Sequence, residues 1–205
     1  ARNVPKDELP ASRRRRVEAA LAVLRAQRFY PDPRLAAQPD APVPFGFRYD
    51  DCAGAAAAYR ERLPKLAEVV KAISVAELEA QGAYREVEHD VFFASFDERA
   101  LSADDIALFP DYLVCVPPDR ADAPENAGMM DMLSAGLPVK VLIEATDLLE
   151  ESSVGTGHFA FGVRQVRLAN TATALGGVFV VQTVSSNLYA LGERLAQAFA
   201  HRGAG

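Results

Sequence analysis

A parallel α/β fold follows from three observations in this chain of 205 residues. Two short apolar runs, Tyr112–Val116 and Val139–Ile143, are separated by a polar loop and an apolar segment at 127–133, the spacing of a β-α-β unit. A third run over 178–184 is polar only at Gln182 and Thr183 and predicts the clearest strand of the chain. Helical patterns alternate with these runs, so the second half reads β-α-β-α-β-α: a parallel sheet with helices on both faces. A mainly helical region, residues 1–100, precedes the α/β region at 101–205.

Residues 1–10 hold two prolines and mixed charge, and read as an extended lead-in. Ser12 is placed to cap a helix over 13–27, with Val17, Leu21, Val23 and Leu24 as its apolar stripe. Five prolines between 29 and 47 predict an irregular connector crossing the surface. Asp50 and Asp51 precede an Ala-rich helical segment, and Pro64 is placed to open the next helix as its first residue. Leu66, Val69, Val70 and Ile73 recur at the helical period in that helix. Residues 84–97 fit strand and helix alike. Ser102, with Asp104 and Asp105 behind it, starts a short helix. After the β-α-β unit comes a polar loop over 147–157, a helix over 161–175 stopped by Gly176 and Gly177, and the third run. Ser185 or Ser186 then caps a last helix carrying Leu188, Leu191, Leu195 and Phe199.

Composition excludes several classes of function. Half of the residues are hydrophobic, enough for a core, yet no apolar run approaches the roughly 20 residues of a membrane span. Two cysteines, Cys52 and Cys115, make neither a disulfide framework nor a metal cluster, and a reduced, cytoplasmic compartment is expected. The net charge is −6, although the first forty residues are net basic. The acidic bulk argues against nucleic acid as the partner. Arg13–Arg16 lacks interleaved aromatics, so it reads as a solvated helix face or a docking arm. The apolar final helix predicts that the chain belongs to a longer polypeptide, or that a partner subunit or second copy covers an open sheet edge.

The order strand, polar loop, helix, Ser-Ala-Gly, Val-Lys-Val-Leu-Ile, Thr-Asp, polar loop, helix, Gly-Gly, Val-Phe-Val-Val, capped helix runs from 109 to 205. It resembles the thiamine diphosphate-binding domain of pyruvate:ferredoxin (2-oxoacid:acceptor) oxidoreductases. The resemblance implies a thiamine diphosphate-binding fold, 2-oxoacid chemistry, and thiamine diphosphate with Mg²⁺ as cofactors. The family's Gly-Asp-Gly turn falls on Pro117-Pro118-Asp119, without either glycine and with the acid displaced by one position. Its metal-binding threonine and carbonyl fall on Thr146 and Leu148, so the implied metal ligands are Asp119, Thr146 and Leu148. Its Asn-Thr-Gly-Gly-Gln loop falls on 151–155, which reads Glu-Ser-Ser-Val-Gly, and the cluster cysteines have no counterpart. The implied protein is an oxidoreductase-like domain with an eroded site, or a non-catalytic interaction domain that keeps the fold.

Ligands of parallel sheets sit at the carboxyl ends of the strands, which directs attention to 117–122 and 144–157. Asp119, Asp122, Glu125 and Asp131 there form either a Mg²⁺ site or a solvated acidic loop. Gly155 and Gly157 flank Thr156 where a phosphate loop could lie, and His158 is the histidine best placed for catalysis. His89, between Glu88 and Asp90, is either a ligand, an oriented base, or part of an exposed turn. No Ser-His-acid order with an elbow motif supports acyl transfer.

Overall fold

The computed structural model describes residues 10–31, 41–117, 123–143, 169–183, 185–201 and 203–204. The chain divides into two compact units, Ala1–Phe45 with Arg60–Ile106, and Gly46–Tyr59 with Ala107–Gly205.

The first unit is helical. Helix α1 runs Ala11–Ala26. It starts one residue before Ser12, because the Pro10 carbonyl already accepts the Arg14 N–H at 2.9 Å. Ser12 therefore lies inside the first turn and caps nothing; the capping residue is Pro10, without a side-chain bond. The Gln27 side chain ends the helix, its Oε1 accepting the N–H groups of Phe29 and Tyr30 at 2.8 and 2.9 Å. Phe29 is buried and packs edge-on against Phe45, 5.2 Å between centroids. The described part of the connector, 41–47, is irregular.

Helix α2 spans Cys52–Ala80 without a break, with Pro64 inside it. Pro64 does not open a new helix. Proline interrupts a helix by removing one N–H and crowding the carbonyl four residues back, here that of Arg60. Strong helix formers on both sides, and the buried Leu66, Ala67, Val69 and Val70 beyond it, outweigh that local penalty. Gly82 closes α2 at φ +66°: the Gly82 N–H reaches the Glu79 carbonyl and the Ala83 N–H that of Leu78, a Schellman cap. Residues 86–94 resolve the ambiguity of the 84–97 stretch as helix α3, Glu86–Ala94, anchored by the buried Phe93. A 3₁₀ turn at Glu98–Ala100 follows. Helix α4, Ala103–Ile106, has the predicted start: Ser102 Oγ accepts the Asp105 N–H at 3.1 Å and Asp105 accepts the Ser102 N–H at 2.9 Å.

The second unit holds a three-stranded parallel sheet in the order β1-β2-β3. Strands β2, Tyr112–Val116, and β3, Val139–Ile143, pair in parallel over their whole length, Tyr112 opposite Val139 and Val116 opposite Ile143. Helix α5, Ala123–Ser134, connects them. Its end is a second Schellman cap at Gly136, φ +63°, with Leu137 donating to the Met132 carbonyl. Strand β1 is Arg48–Tyr49, just past the stretch read as connector, and pairs with Leu113 and Val114.

The run at 178–184 is not a third strand across its described residues, 178–183. Val178 and Val180 pack against the core, and the Phe179 N–H goes to the Ala204 carbonyl rather than to a ladder partner. Apolar side chains specify burial; pairing needs a neighbouring strand edge as well. The Gly176-Gly177 stop is present, both residues at positive φ after helix α6, described over 169–174. Residues Ser185–Leu191 form a 3₁₀ helix and Gly192–Ala200 the final α-helix, α7. The N-cap of α7 is Leu191, without a side-chain cap, so the α-helix starts later than the predicted Ser185 or Ser186.

The core lies on one face of the sheet. Tyr112, Val114, Val116 and Val139 meet Cys52 and Ala55 of α2 and Met129, Met132 and Leu133 of α5. Tyr112 is the hub of an aromatic cluster with Phe47, Tyr49 and Tyr59, at centroid distances of 5.3 to 5.9 Å. Strand alternation puts Lys140 and Leu142 on the opposite face. Lys140 is nevertheless buried, because residues near the C-terminus cover it.

Candidate functional site

The carboxyl end of the sheet is where a parallel fold places its chemistry. Strand β1 runs directly into Asp50, Asp51 and the start of α2. Asp51 is the N-cap: its Oδ1 accepts the Gly54 N–H at 2.5 Å. Glu125, from the first turn of α5, reaches across and accepts the Cys52 N–H on Oε1 at 2.5 Å. Both carboxylates thus sit on the positive end of α2, where the helix dipole favours them. Gly128 makes the approach of α5 possible, since a Cβ there would lie 3.3 Å from the Cys52 Cβ.

Cys52 is 2% exposed. Burial pushes its thiol far above the ordinary range, and the hydrogen bond and charge of Glu125 and the charge of Asp51 push it further. A thiol in that state is not a nucleophile. Two of the first N–H groups of α2, those of Cys52 and Gly54, are thus held by carboxylates, which opposes a phosphate there.

Of the residues singled out in the sequence, Asp119, Thr146, Leu148, Gly155, Gly157 and His158 lie outside the described residues, as does Asp122. Glu125 is placed, and its role is capping. Asp131 is exposed on α5. His89 sits on α3, and its Nδ1 accepts the Arg85 N–H at 2.8 Å, which puts the proton on Nε2 in the neutral ring. Its neighbours diverge: Glu88 pairs with Arg85 and Asp90 accepts the Tyr84 hydroxyl at 2.7 Å. The triplet does not converge on a ligand. Among the described residues no group of three His, Cys, Asp or Glu is placed to hold a metal ion. No described helix is long and apolar enough to cross a membrane.

Two buried charges carry more structure than the sequence signals. Glu79 binds Arg13 at 3.2 Å and Arg16 at 2.5 Å, and Arg13 also donates to the Glu79 carbonyl. The first and last members of the Arg13–Arg16 run thus pair within their own unit, while Arg14 and Arg15 are exposed. Lys140 donates to the carbonyls of His201 and Gly203 at 2.6 and 2.7 Å and faces Asp111 at 3.6 Å. Two hydrogen bonds and an ion pair hold the ammonium group, so it is a strut rather than a free amine. The available signal was a lone lysine within an apolar five-residue strand.

The apolar depression lined by Ala55, Tyr59, Tyr112, Leu137 and Val139 lies at the opposite, amino end of β2 and β3. Its volume is about 10 Å³, room for about one water and far too small for an ordinary ligand. Compared with family models, curated proteins and solved structures, the chain matches none.

Proposed function

We propose that this chain is a non-catalytic interaction domain of a 2-oxoacid:ferredoxin oxidoreductase-like protein, on a thiamine diphosphate-binding-like fold whose cofactor site has eroded. The observation that carries this is the double capping of α2 by Asp51 and Glu125. A diphosphate there would meet two carboxylates, and each like-charge pair at 4 Å costs about 4 kcal/mol at an effective dielectric constant of 20. Pro117 and Pro118 add to this, because neither has a backbone N–H to offer a phosphate oxygen. These features support a reading in which this end of the sheet no longer takes the cofactor. Free Cys52 and Cys115 accord with a reduced, cytoplasmic setting.

Calorimetric titration with thiamine diphosphate and Mg²⁺ tests the proposal. Binding no tighter than millimolar is expected. A micromolar dissociation constant abolished by Asp119→Ala would overturn it and establish the alternative, an active 2-oxoacid oxidoreductase domain with Asp119, Thr146 and Leu148 on the metal.

A further inference from the structure

Helix α3 buries Phe93 and exposes its acids, as a surface helix does, but it also keeps an apolar ridge in water. Here the residues flanking the buried Phe93 are polar: Glu86 binds Arg16 at 2.7 Å, His89 accepts the Arg85 N–H, and Asp90 accepts the Tyr84 hydroxyl. Valines stand on the opposite, solvent side. Val87 is 88% exposed and Val91, one turn on, 72%; Phe92 beside them is 53% exposed. Valine is a weak helix former and is not rewarded by burial at these positions. The helix thus gives up both propensity and solvation to keep an apolar ridge in water.

The charge around the ridge selects what covers it. Helix α3 with its N-cap holds Glu86, Glu88 and Asp90 against Arg85, a formal charge of −2. Glu88 lies on the ridge itself, between Val87 and Val91. A second copy of the chain meeting this ridge about a two-fold axis would set acid against acid. An anionic lipid surface would be repelled in the same way. We propose that α3 is a docking ridge for a partner segment with an apolar stripe flanked by Lys or Arg. This rests on the interaction-domain reading for its purpose and adds the chemistry of the partner.

The test uses the full chain and two synthetic amphipathic helical peptides, one of Leu and Lys and one of Leu and Glu. Binding is read by fluorescence anisotropy at low and high salt. The Leu/Lys peptide is expected to bind, more weakly as salt rises, and the Leu/Glu peptide not to bind. The combined variant Val87→Ser, Val91→Ser, Phe92→Ser weakens the Leu/Lys complex by roughly tenfold or more. Glu88→Lys weakens it as well, while Tyr189→Ser, a fully exposed aromatic in the other unit, leaves it unchanged. If circular dichroism shows that the triple variant loses helix, Val87→Ser alone repeats the measurement at the most exposed position. Equal binding of both peptides, or binding indifferent to these substitutions, overturns the proposal. So does a dimer dissolved by the triple variant, or capture of anionic vesicles. Tight cofactor binding would sink the interaction-domain reading and leave the peptide result standing, so the two fail separately.

Discussion

Replacing Lys140 by methionine should detach the C-terminal segment from the sheet. Methionine keeps most of the volume and removes the ammonium group. The carbonyls of His201 and Gly203, which accept from it at 2.6 and 2.7 Å, then lose their donors. An acceptor stranded away from water costs about 1–3 kcal/mol, and both residues are half-buried, so the lower part of that range applies to each. The ion pair with Asp111, 3.6 Å away and about one-third exposed on the Asp111 side, adds less than about 1 kcal/mol. Relief from burying a charge acts in the opposite direction, but it cannot cancel two stranded carbonyls held against a packed Ala204. The net loss is about 2–4 kcal/mol. Two measurements read it. Urea denaturation gives the global loss, and amide exchange at Phe179, whose N–H is held by the Ala204 carbonyl, gives the local one. Exchange at Phe179 should quicken by on the order of 30-fold or more. Exchange unchanged at Phe179, or a stability loss below about 1 kcal/mol, would refute the strut.

Glu79→Gln should destabilise the first unit by about 2–3 kcal/mol, less than for a fully buried pair because Arg13 and Arg16 keep partial access to water; a urea double-mutant cycle with Arg16→Ala should show effects that are less than additive. Glu86 titrates below the ordinary carboxylate range, chiefly through its hydrogen bond from Arg16, then through that from Ser12 and the Arg16 charge. A depressed folded value means that its contribution is present above the unfolded pKa and is lost as pH falls through the folded one. Glu86→Gln should therefore flatten the acid limb of the stability profile, lowering stability at neutral pH and changing it little below the folded pKa. Cys52 should resist iodoacetamide in the native protein at pH 8, because burial and the neighbouring carboxylates hold it as the thiol, and should react fully in urea; native labelling of its tryptic peptide would contradict the site geometry.

The central β-α-β unit was legible because its signals are local. Val- and Leu-rich runs, a helix between them and Gly136 at positive φ each act over a few residues. What escaped depends on distant partners. Arg48–Tyr49 carries no strand pattern; it is a strand because the Phe47 carbonyl meets the Leu113 N–H at 2.8 Å. The run at 178–183 carries a strong pattern but joins no ladder among the described residues. Pro64 obeys its rule as a helix opener in isolation, and is overridden by the segments on either side. At the candidate site, Glu125 was visible as an acid near a strand end. Only the arrival of α2, whose Cys52 lies far away in sequence, turns that acid into a cap. The positions read as metal and cofactor ligands fall outside the described residues.

The pairing of β1 with β2 imposes an order on synthesis. Arg48 leaves the ribosome well before its partner Leu113, and residues 60–106, which belong to the other unit, are made in between. At ordinary rates of elongation the gap lasts roughly 3–13 s. During it the Cys52 end of α2 has neither β2 nor α5 to cover it, and its apolar residues, Ala55 among them, stand open. The first unit is complete in sequence by Ile106, so it can close while the second still waits for its central strand. A nascent chain stalled between these points carries one finished unit and one orphaned strand, and at that stage it is most exposed to pairing with a neighbour on the same message.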